Sequence, residues 1–585
     1  MELLKTNVIS RVEAALEAIG GDADLVKNLL QPAREADQGD LTLPCFPFAK
    51  ALKKSPVSIA EELRAAMENH ESIGDINAVN GYLNIRVNPV WLANHLLSVG
   101  VDNGMERAKR SVLIEHTSAN PNGPFHVGRA RNAILGDTLV RLHRLWGNEV
   151  TAEYYVDDMG KQVAVLAWAL NALSRDDVEA LLEGREPPNP LWASKPDHQR
   201  VRWYQAAQLL RKESEQSPEI EKAIGALVHA SENGDEAVLE SFEAAYQPVL
   251  DGMLTTLGRL GITYDRFTKE SVFVTNGDVA SLMDELGALA INGHAENGAQ
   301  YLDLGERGLK GKTEFFYRRG DGSSLYATRD IAYHRWKWTQ SNELINVLGE
   351  DHKLQAQQVG LTLEELGERR PEVMFYSFIK LPEGKMSTRQ GNVVFMDDLL
   401  EEAKAQAANV VSERRPEYDE ESVANIAEAV GTSAVRFNIV NVSPEKGFTF
   451  RWEDALSFEA GSAPFVMYSH TRACSILRNV EQHLGSNPQA PEYTIDADMP
   501  DGLIQLLRTL AVHDDCLEKV IREHRPHLFA EYILQLSNAY NGFYRDCHIL
   551  DGDEVNGFYF AVSELARTTL NSGMEALGIQ PLETM

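Results

Sequence analysis

Two short stretches of the sequence combine side chains that could hold phosphate groups. The first, His126-Val-Gly-Arg129, follows a loop rich in Ser, Asn, Gly and Pro. In the second, Lys385-Met-Ser-Thr-Arg389, two cations flank two hydroxyl groups. Free N–H groups at a helix start favour a phosphate, and a cationic loop suits a clamp that closes on one. Taken alone, the first also fits a turn histidine before an ordinary helix, and the second a solvated basic loop.

The first stretch can bind phosphate only if a strand and a helix hold it. Ser111–Glu115 predicts a short apolar strand, and Glu149–Val156 predicts a second one. Apolar residues at helical spacing predict a helix that begins at Val127: Leu135, Leu139, Leu142 and Trp146. Gly147 stands where a left-handed C-cap is expected. In such a β-α-β unit a ligand binds beyond the carboxyl end of the first strand, at the helix N-terminus.

The composition is that of a large folded protein. A chain of 585 residues is too long for one core, so about three or four domains are expected. The four cysteines include no CxxC pair, which argues against a disulfide framework or a zinc site. No run reaches a membrane-spanning length, and the amphipathic N-terminus does not resemble a signal peptide. A cytoplasmic location without membrane contact is therefore expected.

The formal net charge of the chain is −31. This balance argues against a protein that grips nucleic acid with its whole surface. It leaves local basic patches open, so a nucleic-acid partner would be met by particular clusters of cations.

Residues 1 to about 105 have the pattern of a small α+β module. A helix is expected over Ala49–Asn69, with Ser58 as an N-cap inside it. The stretch Ile76–Val87 is strand-like and is broken at Gly81.

Beyond the β-α-β unit, a long acidic helical stretch is expected over about residues 163–261, and residues 270–320 are expected to form short strands and turns. From about residue 396 the pattern is almost entirely helical. Gly305–Thr313 resembles a P-loop, but five residues stand where a P-loop has four, and a strand follows instead of a helix. A phosphate-binding P-loop is therefore not expected.

The two phosphate-binding candidates together resemble the HIGH and KMSKS signatures of class I aminoacyl-tRNA synthetases. Three longer stretches narrow the resemblance to the arginyl-tRNA synthetases: EHTSANPNGPFHVGRARNAILGD, YYVDDMGKQ and SLYATRDIAYH. GDLTLPCFPFAKAL resembles that family's N-terminal tRNA-binding domain. FVMYSHTRACSILR, RPHLFAEYILQLSNAYNGFYRDCHIL and the ending GIQPLETM resemble its helical anticodon-binding domain and C-terminal tail. The resemblance thus covers nearly the whole chain.

The fold class that this resemblance implies is α/β: a Rossmann-type parallel-sheet catalytic core with a helical insertion, a small N-terminal α+β domain and an all-α C-terminal anticodon-binding domain. The expected divisions are residues 1–105 for a domain that contacts the tRNA D-loop, 106–395 for the catalytic domain, 396–455 for a connective helical region and 456–585 for the anticodon-binding domain. The insertion is expected over about residues 163–261.

The function that the resemblance implies is ATP-dependent ligation of L-arginine to its tRNA through an arginyl-adenylate. ATP is a substrate, Mg²⁺ accompanies it, and a monomer is the default. Family members commonly need bound tRNA before they activate arginine. Two alternatives are a non-catalytic tRNA-binding paralogue and a class I synthetase for another amino acid. The first predicts loss of the signature residues, which are present. The second, for cysteine or methionine, predicts that the paired acids are absent and often that zinc ligands are present, and this sequence shows no such ligands.

The resemblance implies roles for both signature stretches. His126, Gly128, Lys385, Met386 and Ser387 are expected to hold ATP. The cations expected to stabilise the triphosphate are, in order, Lys385, Arg389 and Arg129. This order is open because the sequence departs from the pattern at three positions: Arg129 replaces the last histidine of HIGH, Thr388 replaces the second lysine of KMSKS, and Gly123 matches a lysine that some members use instead.

Recognition of arginine requires carboxylates, because a guanidinium presents a rigid fork of donors that a carboxylate matches bidentately. Glu115 ends the first strand, and Asp330 follows Tyr326 by four residues, which is one helical turn. By resemblance these three line the arginine pocket with Asn120, and His352 could also face it. The alternatives are an edge-strand surface acid at 115, a core aromatic at 326, and an acid at 330 that only favours the helix dipole.

The expected tRNA contacts are aromatic and cationic. Tyr82 and Asn84 alternate along one predicted strand, where a ring can stack on a base and an amide can read its edge. A partly exposed sheet face would have the same pattern. Tyr468, Arg472 and Arg478 combine an aromatic ring with cations in the last domain.

No metal site is expected from the sequence. His524 and His527, which flank Arg525-Pro526, are interpreted as a helix start. Most of the regular aromatics near them are expected in the helix core: Tyr532, Tyr540, Phe543 and Tyr544.

Overall fold

A computed structural model describes residues 2–33, 38–67, 69–102, 107–184, 190–380, 394–457, 461–485, 492–552 and 554–585. The signature residues Lys385, Met386, Ser387 and Arg389 lie outside these ranges. Within them, none of the helices is both long enough and apolar enough to span a membrane.

The N-terminal module is a four-stranded antiparallel sheet with helices. Its helices are α1 (Glu2–Ala18), α2 (Val26–Leu29), α3 (Ala49–Leu52), α4 (Pro56–Ala66) and α5 (Pro89–Val99), and its strands are β1 (Gln31–Pro32), β2 (Leu41–Pro44), β3 (Ile73–Val79) and β4 (Tyr82–Val87). The strand order is β1-β2-β4-β3. A hairpin turn with positive φ at Asn80 and Gly81 joins β3 to β4 where the sequence predicted a break.

The helix expected over Ala49–Asn69 is in fact two helices. Lys53 adopts a left-handed conformation and ends α3. The N-cap of α4 is Ser55, not Ser58: its hydroxyl accepts a hydrogen bond from the Ser58 N–H at 3.1 Å. The prediction was wrong because Pro56 favours an extended residue before it and suits the first helical position, which moves the cap upstream of the proline.

The central α/β core begins with a β-α-β unit and a helical insertion. The unit comprises β5 (Ser111–Glu115), α6 (Val127–Leu145) and β6 (Glu149–Val156), and the insertion comprises α7 (Lys161–Ala172), α8 (Arg175–Leu182), α9 (Pro196–Glu213), α10 (Ser217–Glu232) and α11 (Glu236–Arg259). Both strands have the predicted bounds. Gly147 has a φ of 97°, as expected for a left-handed C-cap.

The second half of the core alternates short elements with two long helices. Its elements are β7 (Arg266–Lys269), α12 (Ser271–Thr275), α13 (Asp278–Gly287), β8 (Asn292–His294), β9 (Gln300–Asp303), β10 (Glu314–Arg318), α14 (Tyr326–Gln340), β11 (Glu343–Gly349), α15 (Lys353–Glu365), β12 (Glu372–Tyr376) and β13 (Ile379–Lys380). The helices α12 and α13 were not predicted. Gly305–Thr313 leads into β10, so this segment lacks the helix that a P-loop requires.

The central sheet fixes where a ligand can bind. Its order is β12-β11-β5-β6-β7, and all its strand pairs are parallel. From β5 the chain adds β6 and β7 on one side and later β11 and β12 on the other. The strand order therefore reverses between β5 and β11, and a crevice for ligands is expected at their carboxyl ends.

The C-terminal part of the chain is helical. Its elements are α16 (Met396–Arg414), α17 (Glu420–Val440), β14 (Phe448–Thr449), α18 (Trp452–Ala455), α19 (Ala463–Leu484), α20 (Asp501–Ala511), α21 (His513–Glu523), α22 (Pro526–Asp546), β15 (Leu550–Asp551), β16 (Glu554–Val555) and α23 (Gly557–Ala576). Tyr532, Tyr540 and Phe543 are buried as predicted, whereas Tyr544 is exposed. With this helical part and the parallel core, the predicted fold class is confirmed.

Two fully buried arginines bind α6 to the C-terminal part. Arg131 on α6 donates to the carbonyl oxygens of Ser377 (2.6 Å) and Ser443 (2.7 Å). Arg436 on α17 pairs with Asp137 of α6 at 2.6 Å. Because a buried charge without a partner is costly, these contacts hold the helix, and thus its N-terminus, in one position.

Two buried histidines predict that the fold loses stability in mild acid. Burial lowers the pKa of His116 to about 4 and that of His143 to about 3. In the unfolded chain both take up a proton near pH 6.5, so acid favours unfolding between about pH 6.5 and pH 4. We expect each to remove about 2 kcal/mol of stability at about pH 5, measured by denaturant unfolding.

His143→Gln should make this loss smaller by about 2 kcal/mol, because the amide does not titrate. The exposed His294 offers the control, since His294→Gln should lose stability as the unsubstituted chain does. Identical pH dependence in all three proteins would contradict the prediction.

Candidate active site

The N-terminus of α6 lies at the centre of the crevice. His126 is the N-cap residue of this helix, with an extended backbone, and its side chain makes no capping bond. The N–H of Val127 donates to the Val394 carbonyl at 3.0 Å, and the N–H of Met396 donates to the Phe125 carbonyl at 2.7 Å. The chain that follows the second signature stretch is therefore fixed beside the first.

The imidazole of His126 is neutral at ordinary pH. Burial, and then the positive charge of Arg129, lower its pKa to about 4. A Cβ at Gly128 would lie 3.0 Å from Nδ1 of His126, so glycine leaves room for the ring over the helix start. The site thus offers a neutral N–H donor at the positive end of the helix dipole.

The loop between β5 and α6 has a backbone that few residues adopt. Thr117 and Ser118 both have positive φ, at 70° and 40°. The Thr117 N–H donates to the Asn132 side chain, and the Tyr154 hydroxyl donates to the Ala119 carbonyl at 2.7 Å. Such strained conformations are typical of functional sites and persist only where neighbours enforce them.

A cavity of about 450 Å³ lies between this loop and the insertion. The core lines it with Asn120, Asn122, Gly123, His126, Arg129 and Phe395, and the insertion with Gln162, Val201, Tyr204, Gln205 and Met253. A Cβ at Gly123 would lie 2.6 Å from Cγ2 of Val201. The position at which the resemblance suggested an alternative lysine is therefore closed by α9.

The two acids expected to recognise arginine lie on facing elements. Glu115 ends β5, which is the central strand and not an edge, and Asp330 lies in the first turns of α14. Tyr326 opens α14 one turn before Asp330, as the spacing predicted, and is 59% exposed, so it is not a core aromatic.

The carboxyl of Asp330 is ionised. Burial tends to raise its pKa, but the neighbouring His334, Lys337 and Gln355 hold it below its usual range. The His334 Nδ1 lies 3.1 Å from Oδ1 of Asp330. Asp330 therefore has specific side-chain contacts, which a role toward the helix dipole alone does not account for.

Gln355 is a site residue that the sequence analysis missed. It lies on α15, bonds the carboxyl of Asp330 and lies 3.4 Å from Nδ1 of His352. The turn from β11 into α15 thus brings His352 toward the same crevice, with its side chain 44% exposed. The glutamines that follow His352 in the sequence were the available signal.

Glu115 already has a cationic partner. The ammonium of Lys337 on α14 lies 2.7 Å from its Oε2 and is fully buried. The same ammonium donates to Oδ1 of Asn346 on β11 at 2.9 Å. Neither Lys337 nor Asn346 was singled out from the sequence, because the ion pair of Lys337 with Glu115 joins residues that are far apart along the chain.

A buried cluster joins the insertion to α16. Asp197, His198 and Asp397 place potential ligand atoms within 4.8 Å of one another, the one such group among the described residues. The Lys195 ammonium lies 2.7 Å from Asp197 and 2.8 Å from Asp397, so a cation already occupies the cluster. The cluster fastens α9 to the start of α16.

The two histidines interpreted from the sequence as a helix start, His524 and His527, lie at the α21–α22 junction.

The residues expected to contact tRNA lie in two separate parts of the chain, and those of the last domain lie together on one cavity. On α19 the guanidinium of Arg472 lies over the rings of Tyr468 (4.9 Å) and Tyr544 (4.7 Å). These rings and Arg478 line a cavity of about 350 Å³ that reaches the C-terminal residues. The carbonyl of Glu583 accepts a hydrogen bond from Arg478 at 3.0 Å.

In the N-terminal module, Tyr82 is 39% exposed and meets the ring of Phe46 edge to face. Asn84 is buried, and its Oδ1 accepts a hydrogen bond from the Thr42 hydroxyl at 2.7 Å. The strand therefore offers the ring more openly than the amide.

Three protein-family models match the chain. "tRNA synthetases class I (R), catalytic domain" matches residues 92–452, "DALR anticodon binding domain" matches residues 466–585, and "Arginyl tRNA synthetase N terminal domain" matches residues 6–87.

Relatives and solved structures agree with these matches. An arginine–tRNA ligase of Methanococcoides burtonii is 36% identical over 99% of both chains, and one of Methanocella arvoryzae is 40% identical over 92% of both. The arginyl-tRNA synthetase of Thermus thermophilus has a TM-score of 0.78 at 25% identity, covering 99% of this chain and 100% of its own. That of Plasmodium falciparum shares the fold, with a TM-score of 0.73 at 15% identity over 99% of both. The chain belongs to the arginyl-tRNA synthetases, class I enzymes that use ATP to ligate arginine to its tRNA.

Proposed function

We propose that arginine is activated in the crevice between β5 and β11. The observation that carries this is the meeting of β5, the starts of α6 and α14 and the β11–α15 turn at the reversal of strand order. Asp330 binds the guanidinium, with Tyr326, Asn120 and His352 around the amino acid and Glu115 on the far wall. The arginine carboxylate attacks the α-phosphate of ATP, pyrophosphate leaves, and the adenylate passes arginine to the terminal adenosine of tRNA.

No protein nucleophile is needed for this reaction, so catalysis rests on positioning and on stabilising charge at the phosphates. The neutral His126 donates to a phosphoryl oxygen, and Gly128 lets the nucleotide approach the start of α6. By resemblance Lys385, Met386, Ser387 and Arg389 complete the ATP site.

Mg²⁺ is proposed to enter with ATP. The described residues that line the cavity beside His126 offer amides and no carboxylate. Mg²⁺ prefers oxygen ligands and commonly keeps phosphate oxygens and water. The fit is therefore that of an ion carried by the triphosphate, with Asn120 and Asn122 as the nearby protein oxygens.

Arg129 is proposed as the triphosphate cation that α6 itself supplies. We expect Arg129→Met to lower the rate of arginine-dependent ATP–pyrophosphate exchange, measured with tRNA present, by about 10- to 100-fold, because one charged contact to the phosphates is lost. The matched control is Arg522→Met on α21, where the side chain is 65% exposed. Unchanged kcat and unchanged KM for ATP would contradict this role.

The C-terminal helices are proposed to hold the anticodon. Tyr468 and Tyr544 present flat faces beside the guanidinium of Arg472, an arrangement that suits an unstacked base. Arg478 adds charge at the edge of the same cavity. Tyr82 is proposed to stack on a base of the D-loop, with Asn84 contributing from the same strand.

The proposed division of the chain is residues 1–105 for D-loop contact, 106–395 for catalysis with the insertion over about 163–261, 396–455 as a connection and 456–585 for the anticodon. We propose a monomer as the default state. A cytoplasmic location is proposed because the four cysteines are unpaired, as in proteins of a reducing compartment.

A further inference from the structure

A single buried ammonium lies behind the two acids of the proposed arginine pocket. Lys337 on α14 contacts three side chains through this ammonium: Oε2 of Glu115 at 2.7 Å, Oδ1 of Asn346 at 2.9 Å and Nε2 of His334 at 3.2 Å. Its fourth neighbour is the ring of Tyr333, with the nitrogen 4.3 Å from the ring centre. Its side chain has no exposure to solvent. A buried ammonium needs a counter-charge, and Glu115 supplies it.

These contacts determine the proton on His334. Since an ammonium can only donate, Oδ1 of Asn346 must face Lys337, and Nδ2 of Asn346 then donates to Nε2 of His334 at 2.7 Å. Nε2 is therefore an acceptor, and the proton of the neutral ring is on Nδ1. Nδ1 lies 2.7 Å from the Asp330 carbonyl and 3.1 Å from its Oδ1.

The two acids are consequently not equivalent. Both oxygens of Glu115 are engaged, one by the Lys337 ammonium and the other by the Ser118 hydroxyl at 3.3 Å. Asp330 meets the imidazole of His334 instead of an ammonium or a guanidinium among the described residues. Its side chain is 27% exposed, against 13% for Glu115.

The other ionisable groups around Glu115 form a pair of their own. Glu153, the parallel neighbour of Glu115 on β6, lies 2.5 Å from the Arg266 guanidinium and bonds the Thr268 hydroxyl. On α14 the remaining titratable neighbour is Tyr333, whose pKa is raised well above its usual value by burial. Within this cluster the charge of Lys337 balances that of Glu115, and the charge of Arg266 balances that of Glu153. Asp330 is then the acid whose negative charge no described cation of the cluster balances.

We propose that Lys337 is a positioning residue for specificity: it balances the charge of Glu115 and holds Nε2 of His334 as an acceptor, so that Asp330 is the acid left, among the described residues of the pocket, to pair with one guanidinium. This inference rests on the proposed arginine pocket. It assigns to the pocket a place for a single planar cation, because a second buried cation would have no partner.

The test compares Lys337→Met, which keeps the length of the side chain but removes its charge, with Lys337→Arg, which keeps the charge. KM for arginine and kcat are measured separately in aminoacylation at about pH 8 and about pH 6. In Lys337→Met the amide of Asn346 is no longer held by the ammonium and can turn its Oδ1 toward Nε2 of His334. Nε2 can then take a proton, and the imidazolium competes with the guanidinium for Asp330. We expect KM to rise about tenfold from pH 8 to pH 6 in this variant, with kcat nearly constant.

In the unsubstituted enzyme and in Lys337→Arg the change in KM should stay below about twofold. The double variant Lys337→Met/His334→Gln should lose the pH effect, because glutamine cannot take up the proton. Lys269→Met, which removes an ammonium from an exposed pair with Glu243, is the matched control. If packing alone matters, Lys337→Arg will be the more damaged variant and neither will show the acid rise in KM; that result overturns the proposal.

A second measurement covers a variant that folds poorly. Titration calorimetry measures arginine binding to the folded fraction of Lys337→Met at the same two pH values. The affinity for arginine should weaken about tenfold on acidification. Constant affinity refutes the inference while leaving arginylation intact. Arginine binding that survives removal of Asp330 would instead refute the proposed pocket itself.

Discussion

Asp330→Ala should nearly abolish arginylation, with kcat/KM for arginine reduced by about a hundredfold to a few thousandfold. A guanidinium that enters a closed pocket without its carboxylate costs about 3–5 kcal/mol, and each 1.4 kcal/mol corresponds to about tenfold. Among the described residues of the pocket, Asp330 is the acid whose carboxyl meets an imidazole and not an ammonium or a guanidinium. The measurement is steady-state aminoacylation with arginine varied.

The loss must come from the pocket and not from unfolding. Thermal unfolding of Asp330→Ala should match that of the unsubstituted enzyme within a few degrees. Asp284→Ala provides the matched control on the neighbouring α13, where the side chain is 83% exposed, and should charge arginine normally. Near-normal kcat/KM in a folded Asp330→Ala would contradict the assignment of this residue to the guanidinium.

His126→Ala should have the second largest effect, through kcat instead of arginine affinity. Removal of one preorganised donor to a developing negative charge lowers rates by about 10²- to 10³-fold. We expect a loss of this size in ATP–pyrophosphate exchange, with KM for arginine changed less than about threefold. His126→Gln, which keeps a neutral donor, should recover part of the rate.

The pH dependence provides a separate test of the same residue. Because burial and Arg129 lower the pKa of His126 to about 4, its imidazole stays neutral and its contribution should be constant between about pH 6 and pH 8. His294→Ala on the exposed strand β8 is the control and should leave the rate unchanged. A rate that rises as pH falls through about 6.5, and loses this rise in His126→Ala, would indicate an imidazolium donor instead.

The local elements of the core could be predicted from the sequence because each carries its own signal. β5 and β6 are short apolar runs, and α6 repeats leucines at helical spacing up to a glycine cap. Their parallel pairing places His126 at the end of β5 without any knowledge of the rest of the chain. Resemblance then supplied Asp330 and Tyr326, which the helix α14 does present one turn apart.

Contacts between distant segments could not be predicted in the same way. Lys337 reaches Glu115 only because α14 packs across the sheet, and its sequence surroundings are those of an ordinary amphipathic helix. Gly123 gives no sign that Val201 of the insertion closes its position. Competing local signals explain the other two errors. Pro56 moved the cap to Ser55, and α12 and α13 were missed because they are short segments among turn residues.

The crevice between β5 and β11 is proposed to select arginine, and this selection defines the function. It is tested most directly by aminoacylation of total tRNA with each amino acid supplied in turn. The proposed pocket predicts that arginine alone is charged, because Asp330 is proposed to bind the guanidinium and lies 3.1 Å from His334, which Lys337 contacts in turn. Charging of any other amino acid at a comparable rate, or of none, would contradict the account.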